Sequence, residues 1–164
     1  MKRAAGFTLI ELVIVIVILG ILGAVAAPRF LNLQDEAYES NIKSLRSNIQ
    51  SAMTLANTKA VLEGKDNAGT WTGTGEFADV AFVYGYPKAS ADGILDSLQG
   101  LDAGAEGADS AVSENALTYA IATADGDTTL TLKPSQRYAA SCQVVYTQAK
   151  DGIPAKVDMD TSGC

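Results

Sequence analysis

The chain has 164 residues, enough for one compact domain beside an extended segment. Its 12 Lys and Arg stand against 19 Asp and Glu, a formal net charge of −7, so the surface gives no general basis for nucleic-acid binding. It contains no histidine, which removes imidazole acid-base chemistry, Ser-His activation of a nucleophile and histidine ligation of metals together.

Met1 to Gly6 is short, carries Lys2 and Arg3, and ends in glycine. The stretch from Phe7 to Ala27 that follows is apolar except for Thr8 and Glu11. As a helix it would measure about 30 Å, the thickness of a bilayer core. An ionised carboxylate in hydrocarbon costs about 2.5 to 3.5 kcal/mol even on lenient scales, so Glu11 needs a partner or headgroup water. A cleaved secretory signal is one reading, with Ala24, Ala26 and Ala27 imitating a cleavage site. An uncleaved anchor, held by Lys2 and Arg3 in the cytoplasm, is another. Neither explains Glu11. Cleavage between Gly6 and Phe7 would place a new amine about one helical turn from Glu11. Side by side, Glu11 of one subunit could then meet the Phe7 amine of the next.

Later in the run, Gly20, Gly23 and Pro28 weaken helix: glycine costs about 1 kcal/mol relative to alanine, and proline removes a donor and clashes with the preceding turn. In lipid the helix can persist, because an unpaired amide is expensive there; packed against protein instead, the segment from Gly20 to Pro28 could stretch as a compliant link. The alternative role for Gly20 and Gly23 is to permit close helix packing.

The run Gly6-Phe7-Thr8-Leu9-Ile10-Glu11-Leu12, continued by Val13 to Leu22 and by Pro28, closely resembles the N-terminus of the type IV pilin family. The resemblance implies an α+β pilin fold, with a long N-terminal helix packed against a C-terminal antiparallel β-sheet. It also implies a prepilin peptidase that cuts after Gly6 and methylates Phe7, and a role for Glu11 in registering helices during assembly. Identical subunits in a helical homopolymer, an inner-membrane assembly platform with an ATPase motor, and the inner membrane itself are the implied partners.

Beyond Pro28, Leu31, Tyr38, Ile42, Leu45, Ile49, Ala52, Met53, Ala56 and Ala60 recur mostly at spacings of three and four. They predict an amphipathic helix ending near Leu62 or Glu63, before Gly64, with one stripe facing a sheet. A two-helix coiled coil is the weaker alternative, given the many alanines. Residues 64–116 read as a connecting region. Within it Phe77 to Tyr84 predicts a short strand or loop core, Tyr86-Pro87 a turn, Asp92 to Leu101 a short helix with Ile94, Leu95, Leu98 and Leu101 inward, and Asp102 to Ser113 a solvent-facing loop. Leu117 to Thr123 and Thr128 to Lys133, flanking Ala124-Asp125-Gly126-Asp127, predict a hairpin. Arg137 to Gln148 predicts a third strand and Pro154 to Met159 a fourth at an edge. With a membrane-directed front end, Cys142 and Cys164 read as a disulfide formed in an oxidising compartment rather than as two free thiols.

The predicted organisation is therefore a leader at 1–6, a hydrophobic transmembrane and filament-core segment at 7–28, the amphipathic half of the helix at 29–63, the connecting region at 64–116 and the sheet with its disulfide at 117–164. No catalytic site emerges: Gly64-Lys65-Asp66 is not a phosphate loop, and no cofactor or metal is expected. Asp125/Asp127 and Asp158/Asp160 lack a full calcium ligand set. Trp71, Tyr84 and Tyr86 suit core or subunit contact better than sugar stacking. The expected function is that of a major structural subunit of a surface pilus for adhesion and colonisation. Ser141 to Tyr146 and Cys164 resemble the mannose-sensitive haemagglutinin pilin group, which implies possible glycan targets. The alternatives are a type II secretion pseudopilin and a membrane-tethered binding protein that never polymerises.

Overall fold

The computed structural model describes residues 7–98, 103–106, 117–134 and 141–164. Two compact units divide the chain, Met1–Ala37 and Tyr38–Cys164, and the helix α1 (Leu9–Leu62) contributes to both.

The second unit is built on the helical periodicity. Ile42, Leu45, Ile49, Met53, Ala56 and Ala60 are all buried. Their spacing of three and four places them on one stripe. The first four enter a core with Leu130, Leu132, Val144, Tyr146 and Val157, the inward residues of the main sheet. Full burial of one such aliphatic side chain contributes about 1.5 to 3 kcal/mol. The helix stops where Gly64 takes φ +66°. There Lys65 N–H donates to the Ala60 carbonyl (2.8 Å) and Gly64 N–H to that of Val61 (3.0 Å), so two terminal carbonyls are satisfied in a Schellman arrangement.

A small antiparallel sheet follows, ordered β1 (Trp71–Thr72), β2 (Ala81–Val83) and β3 (Tyr86–Pro87). It covers a second cluster of Ala56, Ala60, Phe77, Val80 and Phe82, with Trp71 stacked on Phe82 at a centroid distance of 4.8 Å. Tyr86-Pro87 is thus a strand, not a turn; the reversal sits at Tyr84-Gly85, where φ is positive at both residues. Of the expected Phe77–Tyr84 element, only Ala81–Val83 is strand, and Phe77 closes a 3-10 turn, Gly75–Phe77. The expected short helix at Asp92 is a π-helical turn, Ala91–Leu95. Ile94, Leu95 and Leu98 are buried as anticipated, while Leu101 lies outside the described residues.

The main sheet has five strands in sequential order: β4 (Ala103–Glu106), β5 (Leu117–Ala124), β6 (Asp127–Pro134), β7 (Gln143–Thr147) and β8 (Lys156–Asp160). β5 to β8 are antiparallel, which gives the helix-on-antiparallel-sheet architecture expected from the sequence. β4 corrects the expectation of a loop at Asp102 to Ser113, because it pairs in parallel with β5 at the sheet's edge. Its Gly-Ala composition gave no strand signal; pairing to β5 supplies the stability that propensity does not. β5 and β6 meet at Asp125-Gly126, where φ is +51° and +78°, as a type I′ turn requires. β7 is shorter than the predicted strand, since Ser141 and Cys142 precede it in a turn and residues 135–140 are outside the described set. β8 is the other edge strand, with Pro154 just before it, where the ladder needs no donor.

Two side chains tie the connecting region to β7 and its end. The Tyr146 hydroxyl donates to the Pro87 carbonyl at 2.6 Å, and the Ala89 amide donates to Gln148 Oε1 at 3.0 Å. Burial, reinforced by the neighbouring Tyr86, pushes the Tyr146 hydroxyl well above the usual phenol range. The Cys142–Cys164 disulfide secures the tail, with Gly163 N–H bonded to the Ser141 carbonyl at 2.9 Å.

Candidate assembly site at the head of the long helix

The first backbone amides of any helix lack intrahelical partners, and Thr8 supplies one. Its position immediately before Leu9 makes it the N-cap, with Glu11 three residues later. Glu11 Oε2 accepts from the Thr8 amide at 2.9 Å and from Thr8 Oγ1 at 2.7 Å. Glu11 N–H points back to Thr8 Oγ1 at a long 3.4 Å. This reciprocal arrangement is a capping box. The partner that the sequence leaves open for Glu11 is thus Thr8, and Thr-x-x-Glu ahead of an apolar run is the signal that identifies it.

The box also starts the helix in favourable electrostatic terms, since the acid lies in the first turn, where the backbone dipole is positive. Glu11 Oε1 has no partner among the described residues. Phe7, the first described residue, is 80% exposed and precedes the helix; Gly6 lies outside the described set.

From Leu9 to Ala26 runs an 18-residue helical segment long and apolar enough to cross a membrane, and none of it is buried. Gly20 and Gly23 belong to it, and a Cβ at either would meet nothing within 4 Å. Pro28 also falls within α1, so the isolated chain is assigned as helix through the segment expected to be compliant.

The remaining sequence candidates go elsewhere. Cys142 and Cys164 are joined to each other beside β7. Asp127 pairs with Lys150 at 2.7 Å, and Asp160 Oδ1 accepts from Ser162 N–H (3.0 Å) and Oγ (2.7 Å). Those two hydrogen bonds hold the Asp160 carboxyl below its usual range. No group of three or more Cys, Asp or Glu able to hold a metal occurs among the described residues. Trp71 belongs to the smaller cluster and Tyr84 and Tyr86 to the larger, so the three aromatics form no common platform.

Comparison with known proteins bears on the head of the helix first. A family model described as the prokaryotic N-terminal methylation motif matches residues 1–27. The Type IV narrow pilus major component PilA5 of Thermus thermophilus is 52% identical over 58 residues, covering 35% of this chain and 50% of that protein. A fimbrial protein of Pseudomonas aeruginosa is 39% identical over 83 residues, 51% of each chain. The Type IV major pilin protein PilA of Myxococcus xanthus is 36% identical over 92 residues, covering 56% of this chain and 40% of that one. The chain thus spans about half the length of the curated relatives it matches. No solved structure gives a significant match. Over the matched portions the chain is thus similar to fimbrial and pilin proteins.

Proposed function

We propose that this chain is the precursor of a major pilus subunit, cut between Gly6 and Phe7, methylated at Phe7 and polymerised into a helical surface filament. The observation that carries the reading is an unburied 18-residue apolar helix headed by a capped acid. Such a surface is stable only in lipid or against other apolar helices. The inner membrane supplies the first environment and identical subunits the second.

Thr8 occupies one oxygen of Glu11, and the other remains for the Phe7 amine of a neighbouring subunit. Gly20, Gly23 and Pro28 let the helix yield as subunits pack. A prepilin peptidase makes the cut, and an assembly platform with an ATPase motor supplies the work, since the sequence has no phosphate loop of its own. The five-part organisation follows: leader, core segment, amphipathic half-helix, connecting region, and a sheet closed by its disulfide. Adhesion to glycans in the manner of the mannose-sensitive haemagglutinin group is the narrower reading. It rests on Ser141 to Tyr146 and Cys164 and names no sugar-binding residue.

Intact-mass analysis of protein sheared from the surface of native cells tests this. The expected species begins at methylated Phe7 and carries the Cys142–Cys164 disulfide. Processed protein retained in the envelope would replace the pilus with a secretion pseudopilin, and an unprocessed chain would leave a tethered binding protein. As the sole subunit, Glu11→Ala should give no filaments; normal filaments would overturn the role of Glu11.

A further inference from the structure

The chain contains three Asp-Gly dipeptides, at Asp92-Gly93, Asp125-Gly126 and Asp151-Gly152, and the fold treats them differently. Asp125-Gly126 joins β5 to β6 and Asp151-Gly152 lies between the bridged residues Lys150 and Ile153. Both are two-residue loops, and all four residues are exposed. The Gly126 and Gly152 amides have no hydrogen-bond partner among the described residues, and neither do the carboxylates of Asp125 and Asp151. Gly93 is the opposite case. It is buried, its amide donates to the Ser90 carbonyl at 3.2 Å, and a Cβ there would fall against the Lys88 carbonyl.

The two exposed loops also share a neighbour. Lys150 Nζ pairs with Asp127 at 2.7 Å, which ties the residue after one loop to the residue before the other. The same ammonium lies 3.7 Å from where a side chain on Gly126 would begin.

We infer that Asp125-Gly126 and Asp151-Gly152 are sites of spontaneous isoaspartate formation, and that Asp92-Gly93 is protected by its place in the fold. In the protonated carboxyl form, the glycine amide nitrogen attacks the aspartate Cγ. The N–Cγ bond forms, the Cγ–OH bond breaks, and the hydroxyl leaves with the amide proton as water. Addition of water then reopens the ring at Cγ, restoring aspartate, or at the former backbone carbonyl, leaving the chain routed through Cβ and Cγ. The second product adds one backbone atom to a two-residue loop. Loop length sets hairpin register, so the change loosens the adjoining pairs and the Lys150–Asp127 contact.

The test ages the purified, disulfide-intact full chain in detergent beside the same chain unfolded in urea. Isoaspartyl methyltransferase labelling, resistance to cleavage by endoproteinase Asp-N, and fragment-ion sequencing locate the product. In the folded chain Asp125 and Asp151 should convert several-fold faster than Asp92, and the three should converge in urea. Conversion of Asp92 as fast as the other two in the folded chain would overturn the proposal. So would intact loops in a folded chain whose urea control converts. Asp125→Glu, which must close a six-membered ring, should silence that loop and leave Asp151 reactive; persistent product there would refute the assignment. Lys150→Met should raise the Asp125 rate by freeing the loop, and an unchanged rate would remove Lys150 from the account.

Discussion

Leu9–Ala26 and Tyr38–Leu62 belong to one helix and use apolar residues in opposite ways. The first is apolar on every side and buries none of it; the second confines its large apolar residues mostly to one stripe and buries that stripe. Hydrophobicity alone does not say where a helix will go. Periodicity does: a stripe has a destination inside its own domain, whereas an unbroken apolar surface has to be completed by lipid or by another chain.

Ile49→Ala should break this contrast most strongly from one side. Ile49 is fully buried, and its truncation should cost about 2 to 5 kcal/mol in denaturant unfolding of the disulfide-intact protein. The matched change Ile16→Ala, at a site 58% exposed, should leave unfolding of the second unit within about 0.5 kcal/mol of wild type. Equal effects would erase the distinction between the two regions.

Next in size is the disulfide. Replacing Cys142 and Cys164 by serine opens a link across 22 residues and should lower stability by about 3 kcal/mol, with no effect on extraction of the apolar segment by detergent. Tyr146→Phe removes the donor to the buried Pro87 carbonyl and should cost about 1 to 3 kcal/mol, read as a shift in midpoint at unchanged m-value.

The smallest effect is electrostatic and lies at the end of the second region. Glu63 accepts from Lys59 at 2.8 Å and from Thr74 Oγ1 at 2.5 Å, and these bonds hold its carboxyl below the ordinary range. A depressed folded pKa means stability that is present above the unfolded value of 4.5 and lost as pH falls through the folded one. Glu63→Gln should therefore be slightly less stable than wild type near neutrality, and the two should converge on acidification below 4.5. A gap that widened in acid would show the sign to be wrong.

Much of this fold could be read before it was seen. The stripe from Ile42 to Ala60, the stop at Gly64 and the Asp125-Gly126 turn are local signals, and each is realised where it was expected. The connecting region was less legible because its structure depends on distant partners. β3 exists through pairing with β2, β4 through pairing with β5, and neither carries a strand pattern of its own. At the head of the helix the nearest compensation for the acid is not a countercharge but the neutral hydroxyl and amide of Thr8, which a count of charges does not reveal.

The bonds from Tyr146 to Pro87 and from Ala89 to Gln148 have a consequence for how this surface can change. A long connection fastened at an interior point behaves as two separate loops. Doubling the length of a flexible loop costs only about 0.6 kcal/mol in closure entropy, so either half can lengthen cheaply. The fastening limits how far such a change propagates: exposed turns before Pro87 and after Ala89 can change length separately, as two modules on one scaffold, while the buried Phe77, Val80, Phe82, Ile94, Leu95 and Leu98 stay as the core requires.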